Sequence, residues 1–205
     1  MFSLHAISPE NETVDTFTEK ALRIYDIVDY IHLRNQAWKA RDFLTVIDRI
    51  KQHDQHVAKL IINDRLDIAH VSGISRVHLP SHGIEPQDVR NHFKHTIYGC
   101  SVHNVEMAMQ CEEQQANYLI FGHVFSTKSK EGLPARGLTQ LKKVTQSVSV
   151  PVIAIGGITP NNIEDVMHAG AQGVAIMSGI FDVDNCRKKA LRYRNAINQY
   201  FRGGV

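Results

Sequence analysis

The chain has 205 residues, with 23 Lys and Arg against 21 Asp and Glu, a net charge of +2, and a 43% apolar share. That balance excludes a strongly basic nucleic-acid surface or a highly anionic partner, and the ordinary apolar share excludes a disordered chain. Three cysteines, Cys100, Cys111 and Cys186, are too few and too scattered for a disulfide framework or a CxxC zinc site.

No run approaches the roughly 18 apolar residues of a membrane span. Met1 to Ile7 has no basic region leading into an apolar stretch. These features predict a soluble, cytoplasmic protein in a reducing compartment, with no membrane and no nucleic-acid partner. No composition shift marks a boundary, so residues 1–205 are expected to form one domain.

Short β-rich runs alternate with stretches of helical period. Leu4–Ile7 is the first strand, followed by a helix over Thr13–Asp26 with Val14, Phe17, Ala21, Leu22 and Ile24 at helical spacing. Asp29–Arg34 leads into the helix Ala40–His53, and Lys59–Asn63 into Arg65–Val71. Arg76–Leu79 precedes Pro86–Phe93, which opens with Pro near its first helical position. Ile97–Ser101 precedes Asn104–Gln115, with Asn104 as its N-cap.

Asn117–Gly122 is followed by a long polar segment, His123–Arg136, and then a helix over Gly137–Ser147. Pro151–Ile155 leads to a helix starting at Thr159-Pro160, and Gly173–Met177 to a closing helix over Asp184–Phe201. Eight strand–helix pairs of about 25 residues each predict an α/β fold, a single (β/α)8 TIM barrel, with an open doubly wound sheet as the alternative.

In such barrels the chemistry sits at the C-terminal strand ends. Those ends carry Ser8, Arg34, Asn63-Asp64, Leu79-Pro80, Ser101-Val102-His103, Gly122-His123, Gly156-Gly157 and Ser178-Gly179. Ile155-Gly156-Gly157-Ile158-Thr159-Pro160, paired with Ala175-Ile176-Met177-Ser178-Gly179, reads as a phosphate cradle of backbone N–H groups. The plain alternative is that these glycines only permit tight turns. In the polar segment after strand six, Thr127, Ser129 and Lys130 line or cover a pocket, unless the loop is merely solvated.

Twelve histidines make any one weak evidence by count. His53 with His56, and His92 with His95, lack a third ligand, so no metal site is expected. His123 differs, because it directly follows a strand and a glycine at the expected catalytic face. An imidazole there can both give and take a proton near neutral pH. Arg34 suits a carboxylate or phosphate, or else a rim salt bridge to Asp29 or Asp64.

Together the motifs resemble the thiamine phosphate synthase superfamily across essentially the whole chain. They are His32-Leu33-Arg34, Ile62 to Ala69, Gly99-Cys100-Ser101-Val102-His103, Phe125-x-Thr127-x-Ser129-Lys130, Val152 to Ile158, and Gly173 to Ser178. The resemblance implies a barrel holding a thiazole phosphate near loops seven and eight. Gln36 stands where the synthases have a Lys for the pyrimidine pyrophosphate. Pro80-Ser81-His82-Gly83 stands where they have a stretch ending in a Mg²⁺-binding Asp. Asp64, the other ligand of that metal in the synthases, survives alone, which makes a poor Mg²⁺–pyrophosphate site. His123 replaces their usual Pro.

This pattern is similar to the thiazole tautomerase (TenI) branch, whose Gly-His-Val-Phe-x-Thr segment matches Gly122 to Thr127. The resemblance implies aromatisation of a carboxythiazole phosphate tautomer, with His123 as the catalytic acid–base residue and no cofactor or metal. Arg34, Asn63, Ser101, Phe125, Thr127, Gly156, Gly157, Met177 and Ser178 would bind the small-molecule thiazole phosphate carboxylate. A homo-oligomer is left open. The alternatives are a non-catalytic thiazole phosphate-binding regulator and a synthase with a rearranged metal site.

Overall fold

A parallel sheet needs both faces covered, so its strands are short apolar runs, and the described residues hold eight of them. The computed structural model describes residues 2–53, 57–181 and 185–203. The strands are β1 (Ser3–Ile7), β2 (Tyr30–Leu33), β3 (Leu60–Asn63), β4 (Arg76–Leu79), β5 (Ile97–Val102), β6 (Tyr118–Gly122), β7 (Val152–Ile155) and β8 (Gly173–Ile176). They form one closed parallel barrel in chain order, β8 returning to β1 with Leu4 opposite Val174. The barrel expectation holds, and the open-sheet alternative falls to this closure.

The helices are α1 (Val14–Ile24), α2 (Ala40–His53), α3 (Leu66–Ser72), α4 (Pro86–His92), α5 (Val105–Glu113), α6 (Gly137–Ser147), α7 (Ile163–His168), α8 (Ser178–Phe181) and α9 (Cys186–Gly203). Local chemistry sets their ends. Thr13 caps α1 by accepting from the Thr16 N–H, and Asn104 caps α5 by accepting from the Met107 N–H at 2.8 Å.

The helix expected from Thr159-Pro160 begins only at Ile163, because the Asn162 side chain accepts from the Thr159 N–H and holds a turn there. The expected start of the last helix, Asp184, lies outside the described residues, as does His56 of the His53–His56 pair. α4 ends at His92, so His95 is not on the same helix.

Between strands and helices lies one large apolar layer, in which Phe17, Trp38, Phe43 and Phe181 pack edge to face or tilted. α9 is tied to the start of the barrel by Arg194. Its guanidinium donates to the Ile27 carbonyl and to Asp29 Oδ2 at 2.7 Å, and that carboxylate also accepts from the Leu4 N–H.

The barrel interior is mixed. Ile7, Ile61, Ile120, Ile153 and Ala175 form a small apolar cluster with Tyr118. Beside it lie three buried histidines, His5, His32 and His78. His5 Nδ1 meets His32 Nε2 at 2.9 Å, His5 Nε2 meets Ser3 Oγ at 2.9 Å, and His78 Nε2 meets Ser101 Oγ at 2.8 Å. Burial pushes His5 and His78 down to about 3, Asp29 partly opposing this at His5, and it holds His32 well below the usual histidine range. All three rings are therefore neutral in the folded protein.

Gly99 is what admits Tyr118: a methyl carbon at Gly99 would lie 2.2 Å from the tyrosine ring. Gly99→Val should destabilise the fold by at least the roughly 1–3 kcal/mol typical of overpacking, read as a lower urea midpoint. An unchanged midpoint would contradict this packing.

The buried histidines set a second expectation. Below about pH 6.5 the unfolded chain binds protons that the folded chain refuses. Stability should therefore fall as pH drops from 6.5 toward 3, beginning above the carboxylate range. Each such histidine steepens the slope by up to about 1.4 kcal/mol per pH unit. Urea midpoints that stay level between pH 6.5 and 4.5 would show that these rings charge freely in the fold.

Candidate functional site

The C-terminal strand ends bring most of the expected residues to one mouth. At β1 and β2, the buried Ser8 hydroxyl accepts from the Arg34 N–H at 2.6 Å and donates to the Arg34 carbonyl at 2.7 Å. The Arg34 guanidinium pairs with Glu10 at 2.6 Å, not with Asp29 or Asp64 as the salt-bridge alternative had it. This pair is partly exposed, so a carboxylate ligand exchanges one acceptor for another at modest cost. Between the first two loops lies a cavity of about 520 Å³, lined by Glu10, Glu12, Trp38 and Asp42 among others, where the sequence pointed to no site.

Asn63 ends β3 opposite His78 of β4. Asp64 follows in a left-handed conformation, φ 63°, its N–H donating to the His78 carbonyl. Gly83 lies directly against it: a carbon at Gly83 would stand 2.8 Å from Asp64 Oδ1. The residue beside Asp64, where the resemblance to the synthases would put a second carboxylate, is a glycine. One exposed carboxylate does not fit a Mg²⁺–pyrophosphate site, and no group of three or more His, Cys, Asp or Glu among the described residues could hold a metal ion.

The backbone after β6 is strapped to the end of β7. Val124 donates to the Ile155 carbonyl and Phe125 to the Gly156 carbonyl, at 2.9 and 3.0 Å. The approach is so close that a carbon at Gly156 would lie 2.3 Å from His123 Cβ, and one at Gly157 2.5 Å from the Ser126 carbonyl oxygen. Both glycines also have left-handed φ, 101° and 65°. They have a packing reason to be glycine, whatever ligand they meet, so a bulky residue at Gly157 would not test phosphate binding cleanly. Among the described residues the N–H groups of Gly157, Ser178 and Gly179 meet no protein acceptor. Met177 packs on the inner apolar cluster just before them.

His123 is buried, and its Nε2 lies 3.3 Å from the Leu133 carbonyl. A carbonyl only accepts, so the proton sits on Nε2 and Nδ1 carries the lone pair. His103 lies across the same junction, its Nδ1–H donating to the Gly122 carbonyl at 3.0 Å, which leaves Nε2 as its lone-pair atom. Two histidines able to take a proton therefore flank Gly122. Burial lowers the His103 pKa, and Arg136 and Lys130 add to this against the Gly122 hydrogen bond.

Arg136, which no motif in the sequence singles out, binds both strand ends. Its guanidinium donates to the Gly122 carbonyl at 2.8 Å and the His103 carbonyl at 3.0 Å, while its N–H donates to the His123 carbonyl. Thr127 and the half-buried Phe125 lie further along the same loop, ahead of a 3-10 turn at Lys128–Lys130.

A (β/α)8 barrel of this kind belongs to the class that carries its chemistry at the C-terminal strand ends. The model of the family described as thiamine monophosphate synthase matches residues 4–180. The thiamine-phosphate synthase of Clostridium botulinum strain Hall is 36% identical over 166 residues, covering 80% of this chain and 81% of that protein. The one from Methanoculleus marisnigri is 34% identical over 172 residues, covering 82% of each. The solved thiamine phosphate pyrophosphorylase from Pyrococcus furiosus superposes with a TM-score of 0.82 at 26% identity, covering 97% of this chain and 96% of that one. The chain belongs to the thiamine monophosphate synthase family, a family of thiamine-biosynthesis enzymes.

The His103 pKa should lie below the usual histidine value in an NMR titration, and Arg136→Gln should move it upward. A downward shift, or none, would show that Arg136 does not face this ring.

Proposed function

We propose that this member is a thiazole tautomerase, converting the carboxythiazole phosphate tautomer made by a thiazole synthase into its aromatic form. The observation that carries the reading is the combination of a single carboxylate, Asp64, against Gly83 with a buried histidine at the end of β6. The half of the site that a Mg²⁺–pyrophosphate needs lacks its second carboxylate, and Gln36, in the place of the synthases' Lys, is exposed and carries no charge. The half that needs only proton transfer is furnished.

In this reading His123 Nδ1 takes the proton from the ring carbon and returns it to the exocyclic carbon, so protons balance and nothing is oxidised. The phosphate is held by the N–H groups of Gly157, Ser178 and Gly179. Phe125 and Met177 flank the ring, with Asn63, Ser101 and Thr127 as neutral partners. Arg34 leaves Glu10 to bind the carboxylate, the kind of planar acceptor a guanidinium suits. Positioned acid–base catalysis contributes about 10²- to 10⁴-fold, enough for a ring that gains aromaticity as the proton moves. We place the protein in the cytoplasm as one barrel domain.

A second reading, thiamine phosphate synthesis with a rearranged metal site, is favoured by the names of the relatives. One assay separates the two. Freshly made thiazole synthase product should become aromatic carboxythiazole phosphate at a rate that EDTA does not change. With the pyrimidine pyrophosphate, thiazole phosphate and Mg²⁺, no thiamine phosphate should form. The reverse pattern would replace the first reading by the second, and turnover of neither mixture would favour a binding regulator. Arg34→Ala should weaken binding of the carboxylated product more than that of the decarboxylated thiazole phosphate. Equal losses would place the carboxylate elsewhere.

A further inference from the structure

The buried histidines of the barrel interior are absorbed by none of the chemistry above, yet one of them touches the mouth. His78 Nε2 lies 2.8 Å from Ser101 Oγ, and its ring is held on both sides. Tyr118 stacks on it with centroids 5.8 Å apart and planes 30° apart, and His32 meets it edge-on at 5.7 Å. Tyr118 itself fits only because residue 99 is glycine. The imidazole therefore has one orientation, fixed from below and beside.

Its tautomer follows from its partners. His78 is neutral and carries one N–H. Nδ1 is buried and meets no hydrogen-bond partner, whereas Nε2 meets the hydroxyl. A buried N–H without an acceptor is rarer than a buried lone pair without a donor. The proton is accordingly on Nε2, which donates to Ser101 Oγ. The same rule orders the neighbouring column. His32 Nδ1 is also without a partner, so His32 donates from Nε2 to His5 Nδ1, and His5 donates from Nε2 to Ser3, whose hydroxyl points to the Gln172 carbonyl.

We propose that His78 is a positioning residue: by donating to the Ser101 hydroxyl, it commits the Ser101 proton to an acceptor atom of the ligand. An oxygen that already accepts one hydrogen bond from the protein is most useful to a ligand as a donor. Had Ser101 donated to His78, the same oxygen would offer only lone pairs and repel an anionic or carbonyl ligand atom. The β5 side of the mouth thus selects acceptors, in keeping with the carboxylate or ring nitrogen of a carboxythiazole phosphate. The choice of that ligand rests on the function proposed above; the tautomer does not.

The first test needs no ligand. Nitrogen-15 NMR of the folded wild-type protein should show His78 as the Nε2–H tautomer, and an Nδ1–H signal overturns the proposal. In the second test, Ser101→Ala and His78→Phe should each weaken carboxythiazole phosphate binding roughly 2- to 12-fold, the range for one hydrogen bond. The double variant should lose no more than either single one, and His78→Gln, which can donate again, should recover affinity. Unchanged affinity in His78→Phe, or losses that multiply, would mean that His78 only fills space. If wild-type protein does not bind the probe, the substrate assignment fails while the NMR signal still decides for or against His78.

Discussion

After β6 the backbone runs against the end of β7 with no room between them for one methyl group, and the site depends on that approach. The Ile155 and Gly156 carbonyls accept from Val124 and Phe125, and a carbon built at Gly122 would lie 2.4 Å from Ile155 Cγ2. Two strand ends locked so closely carry His123 on a rigid base, not on a free loop. That rigidity matters for proton transfer, whose rate collapses when the base drifts by an ångström. Arg136 extends the clamp to β5 by holding the Gly122 and His103 carbonyls together.

The same barrel makes an unusual interior for its size. Most small parallel barrels fill their centre with branched apolar side chains. Here three neutral histidines and two serines share the space, and two imidazole nitrogens have no partner. Such groups cost stability when buried. What they add is direction: a hydrogen-bonded ring can orient a hydroxyl at the mouth, which an isoleucine cannot.

Much of this was legible in the sequence. The alternation of β-rich runs with helical stretches led to the closed barrel, and Asn104 capped its helix as read. Strand-end positions alone placed His123, Ser101, Asn63 and the two glycines at the barrel mouth. The misses have physical reasons. His5, His32 and His78 sit at alternate strand positions that face inward, but pattern alone does not separate a polar residue in a barrel centre from one on a solvated face. Glu10 as the partner of Arg34 and Arg136 as a clamp join residues whose proximity only the closed mouth creates. The glycines after β7 looked like a phosphate cradle, and the structure shows that packing against the β6 loop already demands them.

The Asp64–Gly83 contact and His123 together support a site that moves a proton and lacks the second carboxylate for a Mg²⁺–pyrophosphate. The most direct measurement is single-turnover aromatisation of freshly made thiazole synthase product by wild-type protein and by His123→Asn, with product affinity measured on both. The account predicts near-equal affinity and a rate lower by about two to four orders of magnitude in the variant. A variant that aromatises at the wild-type rate would contradict it, and would turn attention to the lone pair of His103 across Gly122.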